Sequence, residues 1–471
     1  MQSFTAMLNQ SGLSFNQHQY DGVEFCLKNE KARQLDVYGG IIADEMGLGK
    51  TITAIGTMVA NPVPNTLIVL PPVLLVQWQK AINKTMGFNA LLYHGQQKKQ
   101  IKNKELMASP VVLTTYNAIR TGKKSNLLLE VKWDRVIFDE AHHLRNKNLA
   151  HKGAIELKTK IRWLITGTPI QNNISDYYNL CAVLGLNRTI YCDKTMTGRI
   201  LETFVLKRTK RLMPEIASSL PEVMTHMVKV DWNTDYPFGE YQFAEDIHGA
   251  LSFCGVVKGP GAYAKKLTGG ILVNMLRARQ ACTLPSLMQP DLKKKRTKYN
   301  VGADSKVQAV VQTIVDNKDN GAGKLVFCHY RGEIDAISRR LNELNIKSSI
   351  FDGRTSLPER QAILTDKTNL VILLQIQTGC EGLNLQENYS EVYFVSPHWN
   401  PSMEAQAIGR CHRMGQQKQV HVYRFEMNGF EQGALSLDMY IRSVQDKKNG
   451  ISNRILNNNE GDEDDDDEVI V

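Results

Sequence analysis

The stretch DEMGLGKT (44–51) has the residue types of a phosphate-binding loop. Gly47 and Gly49 allow backbone N–H groups to turn inward around phosphate oxygens. A helix beginning near Lys50 would point its positive end at the same anion. Asp44, Glu45, Met46 and Leu48 complete the loop. Lys50 suits the β- and γ-phosphates of a nucleotide, and Thr51 suits Mg2+. The full G-x-x-x-x-G-K-[ST] pattern would have glycine at 44, where this chain has Asp44. Further along, RVIFDEAHHL (135–144) ends an apolar run in adjacent acids. Asp139 is placed to hold Mg2+, and Glu140 to orient and deprotonate an attacking water. LITGTPIQNN (164–173) supplies Thr166 and Thr168, whose hydrogen bonds can pass on the state of the γ-phosphate. Near the other end, QAIGRCHRMGQ (406–416) carries Arg410 and Arg413. A second, distant basic element implies two lobes that close on one nucleotide, with arginine supplied from the far side. The plain alternatives are an accidental G-K-T, a solvent-facing acid pair, a simple strand exit and salt-bridging surface arginines. They weaken when all four features occur in one chain at the spacing a nucleotide-binding fold needs.

These residues need elements to position them. Continuous apolar runs bounded by turn residues recur: GGIIA (39–43), TLIVL (66–70), VVLTT (111–115), RVIFD (135–139) and RWLIT (162–166). Unbroken rather than alternating runs are expected of parallel strands covered on both faces. Helical segments such as 51–60 and 74–85 fall between them, which gives an α/β lobe. A second set follows: KLVFCH (324–329), SSIFD (348–352), VILLQ (371–375), EVYFV (391–395) and VHVYRF (420–425), with helix-like spacing at 332–344 and 402–413. The fold class is therefore α/β, with two parallel-sheet lobes. The stretch 171–300 lacks strand rhythm and reads as a largely helical insertion. It includes the Gly-rich GVVKGPGAYAKKLTGG (255–270) and the basic KKKRTK (293–298). The expected domains are 1–185, a first ATP-binding lobe; 186–302, insertion and interlobe linker; 303–430, a second lobe; 431–456, a C-terminal helix; and 457–471, a disordered acidic tail.

The chain has 471 residues and a formal charge of +9, but eight acidic residues sit in EGDEDDDDE (460–468). Without that run the body carries 57 basic against 40 acidic residues, or +17. A basic body suits a polyanionic partner. None of the eight cysteines forms a C-x-x-C pair, so a zinc finger or RING insert is not expected. The N-terminus lacks the pattern of a signal peptide. The apolar stretch LIVLPPVLLV (67–76) is too short to span a bilayer, so no membrane partner is expected.

DEMGLGKT, DEAH, LITGTPIQNN and QAIGRCHRMGQ together resemble the Swi/Snf-type ATPases of helicase superfamily two. LSFNQHQYDGVEFCL (13–27) is similar to the family's adenine-reading segment, with Gln19 at the position of its glutamine. LIVLPPVLLVQW (67–78) and VVLTTYNAI (111–119) resemble its next two motifs. LRARQACTLPSL (276–287) resembles its L-R-x-x-C-x-H-P-x-L stretch, with Leu284 at the histidine position. VFCHYRGEIDAISRRL (326–341) and FDGRTS (351–356) resemble its second-lobe entry. TGCEGLNLQ (378–386) departs from the family's A-G-G-x-G-x-N-L at Cys380, and Gln375 stands where the family often has serine. Gly379, Gly382 and Asn384 remain. This variant, with SPHWNP (396–401), is most similar to the branch tied to DNA-damage tolerance and RING-type ubiquitin ligases.

The resemblance implies that the two lobes are RecA-like, with ATP and Mg2+ as cofactors and hydrolysis of ATP between them. The nucleotide would be held by Gln19, the loop 44–51, Gly382, Arg410 and Arg413. Lys50, Asp139, Glu140, Arg410 and Arg413 would be catalytic, Thr51 and Asp139 metal-binding, and Thr166, Thr168 and Gln406 coupling residues. Nucleic acid would meet Thr115, His329, Arg331, Gly379 and Trp399. The implied activity is that of a DNA-dependent ATPase and double-stranded DNA translocase, monomeric, acting in a nucleus or a viral replication or transcription compartment. Its targets would be nucleosomes, transcription complexes or repair complexes. The alternatives are an RNA helicase, a viral transcription elongation or termination ATPase, and an inactive nucleic-acid-binding scaffold. RNA helicases of the DEAH type end this motif as Q-R-x-G-R-x-G-R, whereas H-R-M-G-Q (412–416) favours the DNA family.

Overall fold

Side chains along an extended strand alternate between faces, so a strand apolar at every position must be covered twice. The computed structural model shows this arrangement in two separate sheets. It describes residues 1–122, 126–170, 174–213, 216, 218–237, 239–253, 269–288, 299, 302–366, 368–379 and 383–456. The chain divides into two units, one of residues 1–217 with 450–471 and one of residues 218–449. KKKRTK (293–298), most of the Gly-rich segment 255–270, Gly382 and the acidic tail lie outside the described residues.

The first unit contains β1 (Tyr38–Ile42), β2 (Thr66–Leu70), β3 (Leu91–Leu92), β4 (Val111–Thr115), β5 (Lys132–Asp139), β6 (Lys158–Ile165) and β7 (Val205–Leu206). They form one sheet in the order β3-β4-β2-β5-β6-β1-β7, with parallel pairing throughout. Leu67 and Val69 of β2 belong to one apolar core, and Ile68 and Leu70 to another on the opposite face. Val136 and Phe138 of β5 divide from Ile137 in the same way. Each such side chain contributes roughly 1.5–3 kcal/mol by burial. Helices Lys50–Ala60 and Leu75–Met86 follow β1 and β2 as the spacing predicts.

The second unit contains β8 (Val223–Val230), β9 (Gly323–Cys328), β10 (Ser349–Phe351), β11 (Val371–Gln375), β12 (Tyr389–Phe394) and β13 (Val420–Met427). Their order is β10-β11-β9-β12-β13-β8, again all parallel. Val326 and Cys328 face one core, Leu325 and Phe327 the other. The stretch 171–300 does supply helices, including Ile174–Leu184, Thr197–Phe204, Glu240–Phe253 and Gly269–Thr283. It also supplies β7 and β8, which the strand rhythm did not predict. β8 pairs with β13 from Val223↔Val420 to Val230↔Met427. As an edge strand it leaves Met224, Thr225, Met227 and Lys229 exposed, so its sequence lacks the unbroken apolar signature.

A buried ion pair joins the helix Gln17–Lys31 to β5. Arg135 donates Nε to Glu30 Oε1 at 2.6 Å, and both side chains are within 1% of complete burial. Glu30 also accepts from Trp163 Nε1 at 2.9 Å and Asn61 Nδ2 at 2.7 Å. Removing one partner strands a buried charge, which costs about 3–5 kcal/mol. Glu30→Ala is expected to lower the denaturant midpoint of the first unit accordingly. An unchanged midpoint in equilibrium unfolding would contradict this.

Candidate functional site

In a parallel sheet all C-terminal strand ends lie along one edge, where α/β folds bind ligands. The phosphate-loop sequence leaves β1 at that edge. Gly47 and Gly49 have φ of +91° and +81°, the left-handed region that a side chain disfavours. Gly49 is also crowded: a Cβ there would lie 2.2 Å from Gln19 Nε2. Gln19 is buried and donates Nε2 to the Leu48 carbonyl at 3.3 Å, while His18 Nε2 lies 2.9 Å from the same oxygen. The segment expected to read adenine therefore packs directly on the loop. Lys50 begins the helix and donates Nζ to the Asp44 carbonyl at 2.9 Å, and Thr51 follows it, half-buried. Gly167 of the Thr-rich exit from β6 closes on the same place. A Cβ on it would be 3.1 Å from the Met46 side chain and 3.5 Å from Lys50 Nζ.

Two residues of this site were not foreseen. Arg208, just beyond β7, donates Nε to Asp44 Oδ1 at 2.9 Å and NH2 to Asp44 Oδ2. Lys210 donates its backbone N–H to Glu45 Oε2 at 2.8 Å, and its ammonium stands 3.4 Å from Glu45 Oε1. The carboxylates of Asp44 and Glu45 are thus partnered by the segment 208–210 rather than directed at phosphate.

Asp139 ends β5 and is nearly buried, with Glu140 beside it at a left-handed φ of 52°. Trp78 donates its indole N–H to Asp139 Oδ2 at 2.7 Å, and the Glu140 backbone N–H donates to Oδ1 at 2.9 Å. Burial first, then the Glu140 charge, push the Asp139 carboxyl up to about 7, while Trp78 and Lys50 oppose the rise. A bound cation would favour the ionised form. Glu140 Oε2 lies 3.3 Å from His142 Nδ1. Thr166 is buried, donates its backbone N–H to the Ile42 carbonyl at 3.0 Å, and accepts the Thr168 N–H at 3.2 Å on Oγ1. Thr166 thereby ties the β6 exit to β1. Thr115 ends β4 with its side chain buried, so a nucleic-acid contact there would run through backbone.

In the second unit, Arg410 and Arg413 follow the helix Pro401–Ile408. Arg410 NH1 donates to the Leu383 carbonyl at 3.4 Å, and the Leu385 N–H donates to the Arg410 carbonyl at 3.0 Å. Arg413 NH1 donates to Asn384 Oδ1. Both arginines therefore rest on the segment LNL (383–385), immediately after Gly382. Burial, then the Arg410 charge, lower the Arg413 pKa. Gln406 is buried, and its Nε2 has no hydrogen-bond partner among the described residues. Gln416 buttresses the turn, donating Nε2 to the Tyr389 and Cys411 carbonyls at 3.0 and 3.1 Å. Arg331 is exposed at the start of the helix Arg331–Glu343. Gly379 ends the short helix Ile376–Gly379. His329 is buried and kept neutral, its pKa far below the ordinary value through burial, then Arg279 and His398. Trp399 is half-buried against the core, its ring 6.2 Å from Tyr440.

The first-unit residues fit a nucleoside triphosphate. Glycines shape an inward-facing backbone, a helix starts at the lysine, and a carboxylate waits at the end of β5, on the far side of β6. No cluster of three or more His, Cys, Asp or Glu side chains able to hold a metal occurs among the described residues. A divalent ion shared by Thr51, Asp139, phosphate oxygens and water needs no such cage, which is the usual manner of Mg2+.

Over most of its length the chain is similar to known proteins. Residues 18–229 match the SNF2-related domain, and residues 305–415 the helicase conserved C-terminal domain. The probable global transactivator of Orgyia pseudotsugata multicapsid polyhedrosis virus is 29% identical, over 93% of this chain and 91% of that protein. The ATP-dependent DNA helicase DDM1 of Arabidopsis thaliana is 27% identical, over 82% of this chain and 56% of that protein. The ISWI chromatin-remodeling complex ATPase ISW2 of Saccharomyces cerevisiae is 28% identical, over 82% of this chain and 37% of that protein. The chain thus spans less than two thirds of these two cellular relatives. Among solved structures, the Sulfolobus solfataricus SWI2/SNF2 ATPase core in complex with dsDNA aligns over 94% of this chain and 93% of that one, with TM-score 0.41 and 24% identity.

Trp78→Phe removes the N–H that favours ionised Asp139, so the carboxyl should titrate still higher. Since only the carboxylate binds a cation, the Mg2+ concentration for half-maximal ATP turnover is expected to rise several-fold. The rise should be larger at about pH 6.5 than at about pH 8. Mg2+ titrations of the two proteins showing one common midpoint at both pH values would contradict this.

Proposed function

This chain belongs to the SNF2-related, Swi/Snf-type ATPases of helicase superfamily two and is an ATP hydrolase, and on that premise we propose that it is a DNA-dependent ATPase that moves along double-stranded DNA and remodels protein–DNA complexes. The observation that carries this reading is the gathering of Gln19, Lys50, Asp139 and Thr166 at one sheet edge, in a chain that also holds Arg410 and Arg413 on the segment 383–385.

In this reading the two lobes are built around residues 1–185 and 303–430, and the segment 186–302, the family's insertion, adds β7 to the first sheet and β8 to the second. Gln19 reads the base. Backbone N–H groups at Gly47 and Gly49, with Lys50, grip the phosphates. Thr51 and Asp139 hold Mg2+, which when bound neutralises charge on the β- and γ-phosphate oxygens. Glu140 orients the attacking water and accepts its proton. Arg410 and Arg413 meet the charge that develops on the transferred group, a role worth on the order of 10³–10⁵ in rate. Thr166, Thr168 and Gln406 relay the nucleotide state. The DNA backbone is met by Arg331 and Trp399, and by backbone groups near Thr115, His329 and Gly379, with phosphate contacts dominating.

The supporting likenesses include a plant DNA helicase and a yeast chromatin-remodelling ATPase. A second reading, an ATPase serving viral transcription, draws on the likeness to the viral global transactivator. On either reading the protein would act where DNA is handled, in a nucleus or a viral replication or transcription compartment. No helix among the described residues is long and apolar enough to cross a membrane.

Duplex DNA is expected to stimulate ATP hydrolysis more strongly than single-stranded DNA or RNA. Arg413→Ala should retain ATP and DNA binding while losing about a thousandfold or more of the stimulated rate. Strongest stimulation by RNA, or turnover that survives Arg413→Ala, would overturn the proposal.

A further inference from the structure

A carboxylate at the mouth of a triphosphate site would repel its ligand unless its charge is cancelled. Asp44 is such a group, 1% exposed at the start of the phosphate loop. Arg208 cancels it through two near-parallel hydrogen bonds, the Nε–Oδ1 contact being 2.9 Å. This fork-to-fork pairing fixes orientation as well as charge. The remaining nitrogen, NH1, donates to the His18 carbonyl, the residue before Gln19. One rigid planar group therefore touches the phosphate loop on one side and the base-reading helix on the other. The helix packs closely on this group: a Cβ on Gly22 would lie 2.8 Å from Arg208 NH2 and 3.0 Å from Thr53 Cγ2.

The Arg208 backbone is itself pinned. The Ala43 N–H donates to the Leu206 carbonyl at 2.7 Å, and the Glu45 N–H to the Arg208 carbonyl at 2.8 Å, extending the β1–β7 pairing past the strand ends. A guanidinium neither deprotonates nor flexes, so it sets the spacing between Asp44 and His18. That spacing decides where the Gln19 amide lies over Gly49. Adenine offers an amino donor and a ring acceptor to a side-chain amide, whereas guanine offers two acceptors. Base discrimination by Gln19 thus depends on how firmly its amide is placed.

We propose that Arg208 is a positioning residue that ties base recognition to phosphate grip, holding Asp44 and His18 together so that adenine nucleotides are bound in preference to guanine nucleotides. This rests on the reading of Gln19 as the adenine-sensing residue. Arg208 acts through Asp44, His18 and Gln19 and does not itself touch the nucleotide.

The test uses the full chain and two readouts. One is the affinity for ADP and GDP, measured by displacement of a fluorescent nucleotide; the other is kcat and KM with ATP and GTP. Arg208→Lys keeps a cation near Asp44 but cannot span to His18. It is expected to lower the adenine-over-guanine preference roughly tenfold and to raise KM for ATP more than it lowers kcat. Gln19→Ala should lower the preference similarly, and the double variant no further than Gln19→Ala alone. Asp44→Asn, which preserves packing and removes the charge, should also lower it, and serves if Arg208→Lys does not fold. An Arg208→Lys or Asp44→Asn protein that folds and keeps the full preference, while Gln19→Ala loses it, overturns the role of Arg208 alone. If Gln19→Ala itself keeps the preference, the reading of Gln19 fails and the role of Arg208 falls with it.

Discussion

A loop proposed to bind phosphate with its backbone must keep several N–H groups turned to one point, and that constraint organises the first unit. Two left-handed glycines give the shape, and the space beneath Gly49 is filled by the Gln19 amide. β1 carries the loop, lies between β6 and β7, and is extended past its end by hydrogen bonds from residues 43 and 45 to residues 206 and 208. The anionic residues that open the loop are neutralised from the same side by Arg208 and Lys210. Electropositive backbone and lysine are left as the chemistry offered to a ligand. Asp139 and Thr166, at the ends of β5 and β6, acquire meaning only relative to that loop.

The second unit solves a different problem, that of keeping two cations close together. Arg410 and Arg413 sit near enough for one to lower the pKa of the other. Their hydrogen bonds to the Leu383 carbonyl and the Asn384 side-chain oxygen fix both on the segment 383–385. Like charges held in partial burial gain most from an anion. A phosphoryl group in transfer is such an anion, and the fixed guanidinium fork suits its oxygens.

Much of this was legible from the residues. The runs TLIVL, VVLTT and VILLQ coincide with β2, β4 and β11, because strands buried on both faces leave an unbroken apolar signal. The glycine spacing of residues 44–51 and the acid pair at the end of β5 were equally plain, since they are local in sequence. What stayed hidden depends on distant partners. Arg208 meets Asp44 across 164 positions, and Trp78 meets Asp139 across 61. Neither has a local pattern, and an arginine in a basic stretch reads as surface. β8 escaped for another reason: an edge strand faces solvent along much of its length, so VMTHMVKV mixes polar and apolar residues. The buried side chains of Thr115 and His329 likewise reflect tertiary packing that short motifs do not report.

Displacement of a third strand from a triplex measures ATP-driven motion along duplex DNA most directly. A translocating protein should release the third strand only with hydrolysable ATP, on DNA with a duplex lead-in, and without separating the two duplex strands. A protein that hydrolyses ATP on duplex DNA yet leaves the triplex intact would contradict the claim.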